Sequence, residues 1–244
     1  MNGMTSGNLL ALGANKQTRA HRKIGVDTPA VCALRKRTRR NVARFLFAAS
    51  FGLLASAATA QTIVDEWGSV KTPPAPQLKP VTVDTKTTAL LMLDFMNQNC
   101  GARPRCVASL PAVKKLLDEA RAKGVLVVYA TVPGGKVADT RPEVAPTGGE
   151  PVVSSGPDKF LNTDLEKILK DKGIQSVITV GTAAHGAVRN TASVAALRGR
   201  KVIVPVDGMS AESAYAEQYT AWHLANAAVL SRNVTLTKLD MVKF

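Results

Sequence analysis

The stretch SVITVGTAAHGAVRNTASVAALRGRKVIVPVD, residues 176–207, decides the fold of this chain. It opens with a short apolar and β-branched run, which is typical of a strand buried on both faces of a parallel sheet. A turn of small residues follows, residues 187–197 carry apolar side chains at helical spacing, and Gly199 ends the helix. KVIVPVD then predicts a second strand. The stretch is therefore a β-turn-α-turn-β unit.

The same alternation of strand and helix continues through residues 87–244. Apolar runs predict further strands at 88–94, 125–132 and 234–239, and a short one at Val152-Val153. Further helices are predicted from about Ser109, with Pro111 in the first turn, and at 164–172 and 212–227. This pattern predicts a three-layer α/β/α domain with a mainly parallel sheet of about six strands.

Residues 1–60 have the pattern of a leader. The apolar run 45–60 follows a basic block and ends in Ala58-Thr59-Ala60, as a secretory signal peptide does, so we expect a secreted or periplasmic protein. A membrane anchor is the alternative, but the run is shorter than the ~20 residues a span needs, so we expect no stable anchor after cleavage. Thr38-Arg39-Arg40 also resembles a twin-arginine signal. Residues 61–86 form a Pro-rich lead-in to the domain.

The positive charge of the chain is concentrated in this leader. Residues 1–60 contain ten Lys and Arg and one acidic residue, and so contribute +9 of the formal net charge of +14. The remaining basic residues are scattered and show no interleaving with aromatic residues. We therefore expect no nucleic-acid partner.

Few cofactor or metal motifs are present after the leader. No G-x-G-x-x-G follows the first strand, which argues against a dinucleotide site, and no G-x-S-x-G marks a serine nucleophile. His185 and His223 are too far apart in sequence to suggest a metal site, so we expect neither metal nor cofactor. Cys100 and Cys106 in an exported protein predict a disulfide, with a nucleophilic cysteine as the alternative.

The turn 181–186 lies where a strand ends and a helix begins, so it is the expected floor of a ligand pocket. The motif G-T-x-x-x-G-x-V-x-x-T-A-x-x-A-x-x-x-G, which starts at Gly181, resembles the nucleophile segment of the isochorismatase-like cysteine hydrolases. In that family a cysteine stands four residues before the Thr-Ala pair, and the matching position here is Ala187. The resemblance implies the scaffold of a cysteine hydrolase without its nucleophile. It also implies a cis peptide in this turn and substrate binding by Thr182, Ala184, Gly186 and Ala187.

Asp94 ends the first predicted strand of the domain, at the ligand-binding edge of a parallel sheet. In "LDFMN" it matches the aspartate that serves the resembling family as general base. Lys159, before "F-x-x-T-D-L", resembles the lysine of the family's Asp-Lys-Cys triad, although Ser154 lies nearer the usual position. A solvated surface lysine is the alternative for Lys159. His185 is either a general base for water or a histidine that is exposed or hydrogen-bonded to loop backbone, whereas His223 is expected in packing or at the surface.

The resemblance implies a hydrolase-like protein that acts on, or binds, a small amide, carbonyl or vinyl-ether compound. Asp94, Lys159 and His185 would act through activated water, because the methyl group of Ala187 cannot attack a carbonyl. The alternative is a catalytically silent periplasmic protein that binds a ligand or partner on the same scaffold. Relatives with this fold often pair, so a homo-oligomer is expected.

Overall fold

The computed structural model describes residues 61–244, where nine strands alternate with five α-helices. The predicted signal peptide and leader lie outside the described residues. The strands are β1 (Val81–Thr82), β2 (Thr88–Leu93), β3 (Leu126–Thr131), β4 (Val152–Ser154), β5 (Ser176–Thr182), β6 (Lys201–Pro205), β7 (Met209–Ser210), β8 (Val234–Thr237) and β9 (Val242–Lys243). The helices are α1 (Ile63–Glu66), α2 (Pro104–Ala122), α3 (Leu165–Asp171), α4 (Arg189–Leu197) and α5 (Ala214–Asn226).

Seven strands form one parallel sheet in the order β4-β3-β2-β5-β6-β8, with β7 paired to the end of β5. The side chains of β2 alternate between two cores, because successive residues of a strand point to opposite faces. Leu91 and Leu93 face the core that packs against α3, α4 and α5, whereas Leu90 and Met92 face the core that packs against α2. The predicted three-layer α/β/α architecture is confirmed.

The Pro-rich lead-in runs past one edge of this sheet. It contains the short helix α1, residues 71–80 are irregular, and the backbone N–H of Lys79 donates to the carbonyl of Leu236 on the edge strand β8. β1 then pairs with β9, so the two ends of the domain meet in a separate two-stranded ribbon. In residues 61–244 we find no helix with both the length and the apolarity needed to cross a bilayer.

The prediction for the start of α2 is wrong. The helix begins at Pro104, which takes the first-turn position expected of Pro111, and Pro111 lies inside the helix. A disulfide ties the first turn of α2, at Cys106, to Cys100 in the preceding π-helical turn. A proline inside a helix removes one backbone hydrogen bond. Here the residue whose carbonyl loses that bond, Val107, is exposed, so water can replace the missing donor.

Candidate active site

Asp94 stands directly after β2, at the carboxyl end of a central strand. It is buried, its φ is 54°, and its backbone N–H donates to the carbonyl of Ala130. On the neighbouring strand, Gly181 pairs with Leu93, and a Cβ added to Gly181 would lie 2.2 Å from the Leu93 carbonyl oxygen. Only glycine permits this approach. Gly181 therefore lets β5 approach β2 closely one residue before Asp94.

Lys159 reaches Asp94 from the segment between β4 and α3. Its Nζ lies 2.8 Å from Asp94 Oδ1, an ion pair whose geometry is off the ideal hydrogen-bond direction. The same ammonium donates to the carbonyls of Ser155 at 2.9 Å and Thr131 at 3.2 Å. The Lys159 side chain is 0% exposed, so the alternative of a solvated lysine is wrong. Ser154, the other position considered, is exposed and bonds the carbonyl of Val132.

The Thr-Ala pair of the motif holds the lysine segment in place. The hydroxyl of Thr191, on α4, accepts from the backbone N–H of Lys159 at 3.3 Å and donates to the carbonyl of Pro157 at 3.3 Å. Thr163 adds a hydrogen bond of 2.6 Å to the Lys159 carbonyl. Ala192 is fully buried, and its small side chain lets α4 pack closely. The motif thus links the turn after β5 to the Asp94–Lys159 pair.

The environment of Asp94 suits proton exchange. Burial raises the pKa of the Asp94 carboxyl above its ordinary value, and the positive charges of Lys159 and Arg103 oppose the rise. Carboxyl groups in such surroundings are frequent acids and bases in enzymes. The structure brings Asp94 and Lys159 together, and their catalytic roles stay predictions.

The turn after β5 forms the next wall of the site. The Thr182–Ala183 peptide is cis, within the range that the family resemblance indicates, and a π-helical turn, Ala184–Val188, leads into α4. The hydroxyl of Thr182 donates to the Ser210 carbonyl at 3.1 Å. Ala187 is buried, with a methyl group at the position of the family's thiol. Thr182 and Ala184 are also buried and Gly186 is partly buried.

The two histidines do not join Asp94 and Lys159. His185 is exposed, and in residues 61–244 its ring makes no hydrogen bond. His223 stacks against Tyr219 with ring centroids 5.9 Å apart, and burial lowers its pKa. His223 is thus a partly buried residue that packs on Tyr219.

Arg103 is a site residue that the sequence reasoning missed. It lies between the two cysteines, and its Nη1 donates to Thr182 Oγ1 at 3.2 Å. Its Nε and Nη2 contact Glu212 Oε1 at 2.6 and 2.5 Å. A signal was present: Arg103 precedes Pro104, and an X-Pro pair of this kind marks a helix start. The predicted Cys100–Cys106 disulfide is confirmed, which excludes a free thiolate at either position in this state.

Other parts of the described chain hold no comparable chemistry. Residues 61–244 contain no group of three or more His, Cys, Asp or Glu side chains placed to hold a metal ion. A cleft of about 540 Å³ lies between the lead-in and α5, and aromatic and apolar side chains line most of it. None of its lining residues is Asp or Glu.

Known proteins resemble this chain in sequence and in fold. The chain is 30% identical over 144 residues, 53% of its own length and 76% of the relative's, to a secreted isochorismatase effector of Verticillium dahliae. It is 30% identical over 148 residues to a streptothricin hydrolase of Streptomyces noursei, of which the match covers 56%. An isochorismatase-like hydrolase structure from Alkaliphilus metalliredigens superposes with a TM-score of 0.56 at 25% identity, over 63% of this chain and 95% of that one.

The family assignment agrees with the geometry. Residues 88–234, from the first strand of the parallel sheet to the start of its last, match the isochorismatase domain. This range contains Asp94, Lys159 and the turn with its cis peptide, and it covers more than half of the chain. The chain therefore belongs to the isochorismatase domain family.

Proposed function

We propose that this protein hydrolyses a small vinyl ether by proton transfer from Asp94 and addition of water, without a covalent intermediate. The proposal rests on Asp94. Its buried carboxyl is held by Lys159, whose three N–H donors all have protein acceptors, and the neighbouring turn has Ala187 where the family has its nucleophile. Amide hydrolysis through an acyl-enzyme needs a nucleophile, which Ala187 cannot supply. A vinyl ether needs only an acid and water.

The steps balance with the residues present. The Asp94 carboxyl gives its proton to the terminal carbon of the C=C bond, whose π electrons form the new C–H bond and leave an oxocarbenium ion. The resulting Asp94 carboxylate is stabilised by Lys159 and attracts the cation. Water adds to the cationic carbon and returns one proton to Asp94. The hemiketal then breaks its C–O bond, moves its hydroxyl proton to the departing oxygen, and yields a ketone and an alcohol.

The named relatives support the reaction class. One is called an isochorismatase effector and the other a hydrolase, so hydrolysis recurs in proteins that share this domain.

The effector is also called secreted, which supports the proposal that this chain is exported by the signal predicted in residues 45–60. Export predicts that the protein recovered from the periplasm or medium starts at Gln61. We propose self-association on the family resemblance alone, and sedimentation equilibrium tests it.

Ala187 favours a second function. A protein that keeps the pocket and loses the nucleophile is also what a ligand-binding descendant of an enzyme looks like. In that case the Asp94–Lys159 pair would hold the shape of the site and nothing would turn over. Binding without turnover distinguishes the two functions.

A simple vinyl ether tests the first function. 2-Phenoxyacrylate plus water gives phenol and pyruvate, and phenol release is followed optically. We expect turnover by the wild type and a loss of about 100-fold or more in Asp94→Asn, because general acid catalysis typically contributes 10²–10⁴-fold. Asp118→Asn, which removes an exposed carboxylate on α2, is the matched control and should retain the wild-type rate. Equal rates for Asp94→Asn and wild type would refute the acid role. An inactive wild type that still binds the saturated analogue 2-phenoxypropanoate would favour the silent binding protein.

A further inference from the structure

The site contains two cations that differ in what they can contact. The ammonium of Lys159 has three protein acceptors and a side chain that is 0% exposed, so it has no donor left for a ligand. Arg103 is 23% exposed at its side chain. Arg103 lies at the same end of the sheet as Asp94. Its Nη1 donates to the hydroxyl of Thr182, and Thr182 follows Gly181, which pairs with Leu93 immediately before Asp94. Arg103 is therefore the cation in this part of the site that a ligand can reach.

Arg103 acts electrically on the acid that the reaction uses. Its positive charge opposes the burial-driven rise in the pKa of Asp94. The arginine at the other end of the turn, Arg189, differs: it is held by the His185 carbonyl and the Tyr219 hydroxyl, on the α5 side. A ligand whose negative group binds Arg103 would therefore lie at the end of the sheet that carries Asp94.

The guanidinium of Arg103 is at present occupied by a carboxylate of the protein itself. Glu212 places a single oxygen, Oε1, against both Nε and Nη2 of Arg103. The Glu212 side chain is 57% exposed, and half-exposed ion pairs of this kind contribute little to stability. Displacing it costs little, and a planar carboxylate that engages the guanidinium with both oxygens gains more.

We propose that Arg103 recognises a carboxylate on the ligand, and that Glu212 occupies this anion site until the ligand displaces it. The ligand class is thus a small molecule that carries a carboxylate beside the group presented to Asp94. This inference rests on the proposed function for the reacting group, but recognition of the anion is measured by binding alone.

Two unreactive probes separate recognition from catalysis. 2-Phenoxypropanoate carries the carboxylate, 2-phenoxypropanamide is its neutral counterpart, and neither has a vinyl group to hydrolyse. Calorimetric titration of the full mature protein gives the two Kd values for each variant. We expect wild type to bind the carboxylate at least ~10-fold more tightly than the amide, since a charge-assisted hydrogen bond contributes about that factor.

The variants predict opposite shifts. Arg103→Met should bring the ratio of the two Kd values to about one, chiefly by weakening the carboxylate ~10- to 100-fold. Glu212→Gln should tighten the carboxylate several-fold, because the competing charge is gone. Arg105→Met is the matched control: Arg105 forms a comparable pair with Glu217 on α5 and should keep the wild-type ratio.

Three results would overturn the inference: an unchanged ratio in Arg103→Met, weaker carboxylate binding in Glu212→Gln, or no carboxylate binding by wild type up to ~10 mM, where even weak contacts register. Anion-selective binding together with no hydrolysis of 2-phenoxyacrylate would leave this inference intact and refute the proposed reaction. The two proposals therefore fail separately.

Discussion

Asp94 and Lys159 depend on each other in a way that isolated surface charges do not. Both lie in the interior, and the ammonium and the carboxyl are each other's charged partner. Removing one charge of a buried pair leaves the other uncompensated, which is costly, whereas replacing both with neutral groups is often tolerated. The pair is thus a thermodynamic unit as well as a candidate catalytic one.

A double-mutant cycle measures this coupling. Lys159→Met should lower the free energy of unfolding by up to about 3–5 kcal/mol, because it leaves the ionised form of Asp94 without a partner in the interior. The double variant Asp94→Asn/Lys159→Met should be more stable than Lys159→Met alone, since no charge remains. Urea denaturation near pH ~7, where a free aspartate is ionised, gives the values. Strictly additive losses would show that the two charges do not interact.

Ala187 permits the reverse experiment. Ala187→Cys restores a thiol at the family's nucleophile position, and Asp94 should act as the base that removes its proton. We expect iodoacetamide to alkylate this thiol at least ~10-fold faster than in Asp94→Asn/Ala187→Cys, because a buried thiol without a base keeps a high pKa. Mass spectrometry follows the adduct. Equal rates in the two variants would mean that Asp94 does not face position 187.

At the scale of elements, the loop between β2 and α2 shows where sequence reasoning succeeds and fails. Periodicity located six of the nine strands, β2 to β6 and β8, to within about two residues, because buried parallel strands are continuous apolar runs. The two-residue strands β1, β7 and β9 were not predicted. The start of α2 was misplaced because two prolines, Pro104 and Pro111, both satisfy the first-turn rule, and the helix begins at the earlier one. Arg103 was missed for the same reason, since the sequence does not indicate where the side chain of a loop residue points.

The disulfide joins the two ends of the segment that carries Arg103. The two cysteines are six positions apart in the sequence, and both are fully buried. In the chain-entropy account a loop this short contributes ~2 kcal/mol. We expect Cys100→Ala/Cys106→Ala to lose about that much in the free energy of unfolding.

Reduction gives the control for this prediction. A phosphine reductant should lower the stability of the wild type toward that of the double variant and leave the double variant unchanged. The same treatment should weaken binding of 2-phenoxypropanoate, because the disulfide would no longer fix the two ends of the segment that carries Arg103. A wild type whose stability and binding ignore the reductant would show that the bond does not hold this segment.

At the scale of the whole molecule, the site depends on contacts far outside it. Lys159 is followed by Phe160, whose ring lies under the guanidinium of Arg198 at 4.7 Å and of Arg200 at 5.9 Å. Both arginines bond Glu166 on α3 at 2.9–3.0 Å. This cluster ties α3 to the end of α4 and the start of β6. No sequence pattern indicated it, because its partners are 32 and 34 residues apart.

The cluster predicts how the stability of the domain changes with pH. A hydrogen bond from Arg200 is the main cause that lowers the pKa of Glu166, burial opposes it, and a second bond from Arg198 adds to it. A carboxyl with a lowered pKa stabilises the folded state above its ordinary value of 4.5, and this contribution is lost as the pH falls through the lower, folded value. Glu166→Gln should therefore be less stable than wild type near pH ~7, and this gap in stability should be smaller near pH ~3.

Thermal unfolding across this pH range, at low and at high salt, measures the gap between the two proteins. The Glu166 side chain is 33% exposed, so salt should narrow the gap by screening without closing it. Glu119→Gln is the matched control: its contact with Lys115 on the exposed face of α2 is 4.0 Å long, and its loss should leave the pH profile unchanged. If the difference in stability between Glu166→Gln and wild type is the same at both pH values, the Glu166 side chain stabilises the domain by packing. Its charge would then play no part in holding Phe160 and Lys159 in place.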